Sequence, residues 1–156
     1  MKYSNNTIYP LTLFFDGACP LCSLEMDDLK SRNALNRLVF VDIAQPGFDP
    51  APYGASLQAM GELIHGMCAD GTLVIGAETI RLAYRAVGLG HLAAPTALPG
   101  LKPIFDAAYA VFARNRYGIS RMLAPVIERI AAARAQRRAQ ACARGDCEIN
   151  NPGSPS

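Results

Sequence analysis

No stretch of the sequence reaches about 18 consecutive apolar residues, so no membrane-spanning helix is expected. The first apolar run, Leu11 to Phe15, is short, ends on Asp16 and has no small-residue cleavage site behind it. A secretory leader is therefore not expected, and a cytoplasmic location follows as the default. Charge is scarce: charged residues make up 18% of the 156 residues against 51% hydrophobic ones. That balance excludes a disordered chain and fits one globular domain with an ordinary core. Histidine is limited to His65 and His91. On a strand, His65 and Cys68 face opposite sides and form no ligand pair, and His91 falls in a linker. No internal repeat is present. The five cysteines are an odd number, which excludes a fully paired disulfide scaffold. In a reducing compartment, close cysteine pairs are more often catalytic or metal-binding than structural.

What charge there is lies unevenly. Residues 1–113 carry a net −3 and residues 114–156 a net +5. The basic run Arg129, Arg134, Arg137, Arg138 and Arg144 has no interleaved aromatics and no nucleic-acid motif. It reads as a solvated helix face. Nucleic acid is not an expected partner, although a basic, helical partner-binding protein with incidental cysteines stays open as a reading.

Leu11 to Phe15 is rich in β-formers and is cut off by Asp16-Gly17, which predicts a buried strand. Pro20 to about Arg32 reads as a helix with Leu21, Leu24, Met26 and Leu29 as its apolar set, and Pro20 suits the first helical position. Leu38 to Ile43 is a second strand, giving a parallel βαβ unit. A proline- and glycine-rich loop follows, then one or two helical turns over Ala55 to Met60. Two apolar runs joined around Asp70-Gly71 predict a hairpin, with its first strand over Glu62 to Cys68. A helix then carries Ile80, Leu82, Ala83 and Val87 and stops at Gly88 or Gly90. Beyond a second linker, Ile104 to about Tyr117 and Ile119 to about Arg138 read as helices. Ile119, Met122, Leu123, Val126, Ile127 and Ile130 repeat at the spacing of one helix face, and Pro125 starts a new helix or kinks this one.

This order predicts an α/β, thioredoxin-like fold: βαβ plus β-hairpin and closing helix, with a helical C-terminal extension. Residues 1–94 form the redox core, residues 95–147 the extension packed on it, and residues 148–156 a disordered tail. Cys19 and Cys22 fall after the first strand and at the start of the first helix. There Cys19 faces unpaired backbone N–H groups and the positive end of the helix dipole, which favour its thiolate. A spacing of three puts Cys22 within reach of the same sulfur. Cys19 would attack a substrate disulfide and Cys22 would resolve the mixed disulfide. Asp16 has two readings: a turn-former beside Gly17, or a carboxylate that takes the Cys22 proton.

The segment FFDGACPLC resembles the Asp-x-x-Cys-x-x-Cys motif of the DCC family of thiol-disulfide oxidoreductases, with Asp16, Cys19 and Cys22 matching one for one. The similarity continues through LVFVDI, MCADGTLVIGAETIRLAYRAVG and YAVFARNRYGISR, over roughly residues 11–123. It implies disulfide oxidoreductase activity with the two cysteines as redox couple. Thioredoxin proper places a cis-proline just before the first hairpin strand. Here Ala59-Met60-Gly61 precedes it, so the usual peptide-binding surface is altered.

The expected function is thus thiol-disulfide exchange with a thiol or disulfide substrate, supplied by an electron-donor thiol system and requiring no bound cofactor. The alternative is a zinc-stabilised binding module using Cys19, Cys22, Cys142 and Cys147. The spacing of Cys142 and Cys147 is longer than usual for zinc. These two also read as a second redox pair, or as free thiols on a tail. Cys68 reads as a small core residue.

Overall fold

The computed structural model describes residues 5–144. A short helix α1 (Asn5–Ile8) leads into strand β1 (Leu11–Phe15), helix α2 (Pro20–Arg32) and strand β2 (Leu38–Asp42). Helix α3 (Leu57–Glu62), strands β3 (His65–Met67) and β4 (Leu73–Ile75) and helix α4 (Ala77–Ala86) follow. The short α5 (Gly90–Ala93) precedes two long helices, α6 (Lys102–Met122) and α7 (Ala124–Ala143).

The sheet order is β2-β1-β3-β4. β1 runs parallel to β2, from Leu11 beside Leu38 to Phe15 beside Asp42. It runs antiparallel to β3, which forms the hairpin with β4. A central β1 must be covered on both faces, and its sequence supplies both. Leu11, Leu13 and Phe15 join Met26 and Leu29 of α2 and Leu82, Ala83 and Ala86 of α4 in one core. Phe14 points the other way, to Ile43, Met60, Phe48 and Tyr53. The fold is thioredoxin-like, with the dithiol segment at the C-terminal end of its central strand.

Several bounds differ from expectation for local reasons. Glu62 belongs to α3 rather than to the hairpin strand, because Ser56 caps that helix by accepting the Ala59 N–H at 3.1 Å. The first hairpin strand is thus only His65–Met67, and Cys68 lies just past it. His65 and Cys68 do face opposite sides: His65 pairs with Phe14, while Cys68 sits in the Leu11 core. Helix α6 runs unbroken through Gly118, and the break comes at Leu123, where Pro125 opens α7. The expected apolar face therefore straddles two helices. Ile127 is buried, but Met122 is 80% exposed and Val126 51%. The cis peptide bond among the described residues is Tyr9–Pro10; Ile64, not proline, precedes β3. The tail expected over residues 148–156 lies outside the described residues.

Candidate active site: a dithiol beneath a helical cover

The turn between β1 and α2 is held from several sides. The Gly17 N–H donates to Asp42 Oδ1 at the end of β2, 2.8 Å away. A Cβ at Gly17 would lie 2.1 to 2.6 Å from that carboxylate, so only glycine fits. Burial alone would raise the Asp42 pKa, but the N–H groups of Ala44 and Gly17 hold it below its usual value. Asp16 Oδ1 accepts the Ala18 N–H at 3.0 Å, and the Ser23 hydroxyl donates to the Gly17 carbonyl at 3.0 Å.

This turn delivers Cys19 as the N-cap of α2, with φ −90° and ψ 112°. Pro20 follows at the first helical position, as the sequence predicts. Cys19 Sγ accepts the Cys22 N–H at 3.4 Å. The Cys22 thiol donates to the same sulfur across 2.7 Å. That separation exceeds the roughly 2.05 Å of a disulfide bond, and both cysteines are reduced.

The two sulfurs are electrically unequal. The Cys19 pKa is lowered from 9.0 to about 6. The hydrogen bond from the Cys22 thiol contributes most. Burial opposes it, while the Cys22 N–H, the Ser120 hydroxyl and the Arg116 charge add to it. Cys22 is pushed far upward by the proton it gives to Cys19, by burial and by the Cys19 charge. Their exposure runs opposite to the usual expectation for a nucleophile. Cys19 is wholly buried, with Ser120 Oγ 3.7 Å from its sulfur. Cys22 is half-buried and lines a cavity of about 390 Å³.

Asp16 also lies at the site, but its oxygens are occupied. Besides the Ala18 N–H, it takes a hydrogen bond from Arg116 at 2.8 Å and one from the Tyr117 hydroxyl. The Asp16–Arg116 pair is well buried, with side chains 11% and 8% exposed. Arg116 Nε is buried without a hydrogen-bond partner. Two further arginines tie the extension to the body. Arg81 on α4 bridges Glu78 and Asp106 at 3.1 and 2.8 Å. Arg134 on α7 donates to the Leu24 carbonyl at 2.9 Å and meets Asp28 at 3.3 Å.

Arg116, Ser120 and the cavity-lining Tyr109 and Ala113 were not singled out from the sequence. A signal existed in the helical spacing 109, 113, 116 and 120, which places them on one face of α6. A search for apolar periodicity passes over it, because that face buries an arginine and a serine. Cys142 is disulfide-bonded, and Cys147 lies outside the described residues. A sulfur already in a disulfide is not a thiolate ligand, so the four-cysteine zinc site is not assembled in this structure. Cys68 is a buried core residue.

A profile of DCC1-like thiol-disulfide oxidoreductases matches residues 13–122. The chain belongs to that family. The matched span runs from β1 to the end of α6, so it takes in Arg116 and Ser120 as well as the dithiol. The chain is also 31% identical over 144 residues to a chloroplastic protein of Arabidopsis thaliana described as uncharacterized. The alignment covers 90% of this chain and 66% of the length of that relative, so less than two thirds of it. No solved structure matches. Among the described residues, no helix is long and apolar enough to cross a membrane.

Proposed function

We propose that the protein carries out thiol-disulfide exchange with Cys19 and Cys22 as its two-electron couple. The observation that carries this reading is the stabilised thiolate at Cys19: an N-cap sulfur that receives the Cys22 thiol, the Cys22 N–H and the Ser120 hydroxyl. A thiolate is the nucleophile in exchange and also the better leaving group. Cys19 is therefore the sulfur that closes the Cys19–Cys22 bridge, and the one released when the bridge opens. Reduced equivalents come from, or pass to, a partner thiol system.

Asp16 acts through Arg116. With its oxygens taken by Arg116, Tyr117 and Ala18, it serves as a positioning residue that keeps a guanidinium beside the couple. The proton of Cys22 has a nearer acceptor in Cys19 itself, at 2.7 Å.

The test is a redox titration of the purified full chain against dithiothreitol, with the cysteines mapped by mass spectrometry at each point. A reversible two-electron transition that bridges Cys19 to Cys22 is expected. A chain in which these two never bridge, and which holds stoichiometric zinc through them, would overturn the reading.

A further inference from the structure

The two cysteines differ in access as well as in charge, Cys19 being buried and Cys22 partly exposed, and the difference points to what they meet. Cys19 is 0% exposed, covered by Ser120 from α6. Cys22 opens into the cavity of about 390 Å³. That volume lies at the small end of the pockets that hold small molecules. Its walls are mainly apolar and aromatic, among them Phe14, Leu24, Met60, Tyr109 and Phe112. The charged groups along it already have partners. Asp16 and Arg116 bind each other, Glu25 accepts the Tyr84 hydroxyl at 2.7 Å, and Arg134 is held by the Leu24 carbonyl and Asp28. Beside the cavity, β3 is paired on one edge with β1 and on the other with β4, and the Ile64 carbonyl just before it accepts the Gly76 N–H at 2.8 Å. Among the described residues, no strand edge is open there for an extended peptide to join.

Resting on the assignment of Cys19 and Cys22 as the couple, we propose that this cavity is the substrate pocket. It takes a small, largely apolar thiol or its disulfide, and Cys22 is the sulfur to which that substrate bonds. This exchanges the order expected from the sequence: Cys22 receives the substrate and Cys19 closes the bridge.

The chemistry balances with the bridged couple as oxidant. A substrate thiolate attacks Cys22 Sγ, a substrate–Cys22 bond forms, and the Cys19–Cys22 bond breaks. Cys19 leaves as thiolate into the place prepared by Ser120, the Cys22 N–H and Arg116. A second substrate thiol attacks the substrate sulfur of the mixed disulfide, the substrate disulfide departs, and the proton of that thiol ends on Cys22. Two thiols lose two electrons and the couple gains them. Run backwards, the same steps reduce a small apolar disulfide, and Cys19 thiolate attacks Cys22 Sγ to expel the bound thiol.

The experiment uses full-length Cys19→Ser and Cys22→Ser with benzyl 2-pyridyl disulfide, reading release of the pyridinethione and mapping the benzylthio group by mass spectrometry. Cys22 in Cys19→Ser is expected to be labelled at least tenfold faster than Cys19 in Cys22→Ser. Faster labelling of Cys19 would overturn the proposal. In a second arm, the bridged wild-type protein is reduced by benzyl mercaptan or by glutathione, each rate divided by the rate of that thiol with cystamine. A corrected preference of tenfold or more for benzyl mercaptan is expected, and Ala113→Leu, which narrows the cavity, should lower that ratio. Equal corrected rates, or a preference for glutathione, would overturn it. The labelling arm needs no change in the core, so misfolding of Ala113→Leu leaves it intact. Loss of the dithiothreitol transition in wild type would instead remove the couple itself, a distinct failure.

Discussion

A buried sulfur keeps its negative charge only where donors replace the water it has lost. At Cys19 those donors rank by strength, and the ranking can be measured. Ultraviolet absorbance of the thiolate in the reduced protein should titrate with a midpoint near 6. Cys22→Ala removes the strongest donor and should raise the midpoint most, by roughly one unit or more. Ser120→Ala should raise it less, and Arg116→Met least. An unchanged midpoint in Cys22→Ala would remove the Cys22 thiol as the main cause. Because the folded pKa lies below the ordinary thiol value of 9.0, the unfolded chain binds more protons between about pH 6 and 9. Stability of the reduced form should therefore rise with pH across that window and lose this contribution as pH falls through 6. The potential of the couple should fall by about 59 mV per pH unit below the midpoint and about 30 mV above it, where one proton fewer is taken up. Asp16 gives a second residue-scale prediction. Asp16→Asn leaves Arg116 buried without its counter-charge, which should cost on the order of 3 kcal/mol in urea unfolding. A folded Asp16→Asn of wild-type stability, slowed only in resolving a mixed disulfide, would restore the proton-acceptor role.

At the scale of elements, the C-terminus of α2 shows how one side chain can fix a junction. Asn33 caps the helix, is 4% exposed and closes the turn into β2. Its amide donates to the Leu38 carbonyl at 2.8 Å and accepts the N–H groups of Arg37 and Leu38 at 2.9 and 3.1 Å. Asn33→Ala leaves buried backbone groups unpaired and should cost about 2 to 3 kcal/mol by denaturant unfolding. The Cys19 midpoint should hold, because the junction lies at the far end of the helix. A loss well under 1 kcal/mol would mean that water replaces all three bonds. The helix itself was legible in full, from Cys19 as its cap to Arg32, because its start carries a proline and its end basic residues. The hairpin was legible in kind but not in extent. The run from Glu62 to Cys68 is apolar enough for strand, but Ser56 caps a helix that takes its first residue. Leu21 and Leu24 fit the apolar pattern of α2, yet they line the cavity rather than the core. A hydrophobic stripe does not distinguish a wall that binds from a wall that packs.

For the whole molecule, the contacts that complete the site join residues a hundred positions apart: Asp16 to Arg116 and Cys19 to Ser120. The motif around Cys19 and Cys22 was legible because its chemistry is local. Its cover was not, because a polar residue on a long helix looks solvated until the helix is docked. Helix α7 extends the same logic. Arg134 fastens it to α2 through Leu24 and Asp28, and Cys142 lies eight residues beyond, about 12 Å along a helix at 1.5 Å per residue. Cys142 is bonded in a disulfide, while the Cys19–Cys22 couple is reduced. A chain ending at Arg138 keeps Arg134 and every residue named around the couple, but loses Cys142. It should therefore retain its stability within about 0.5 kcal/mol, as expected for changes away from packed sites, and its Cys19 midpoint near 6. It should take up two electrons in a redox titration, where the full chain takes up four in two separate steps. If the shortened chain shows the same electron count as the full chain, the Cys142 disulfide is not a redox store. If the Cys19–Cys22 step itself shifts when Cys142 is lost, the two disulfides exchange with one another, and the end of α7 belongs to the active site.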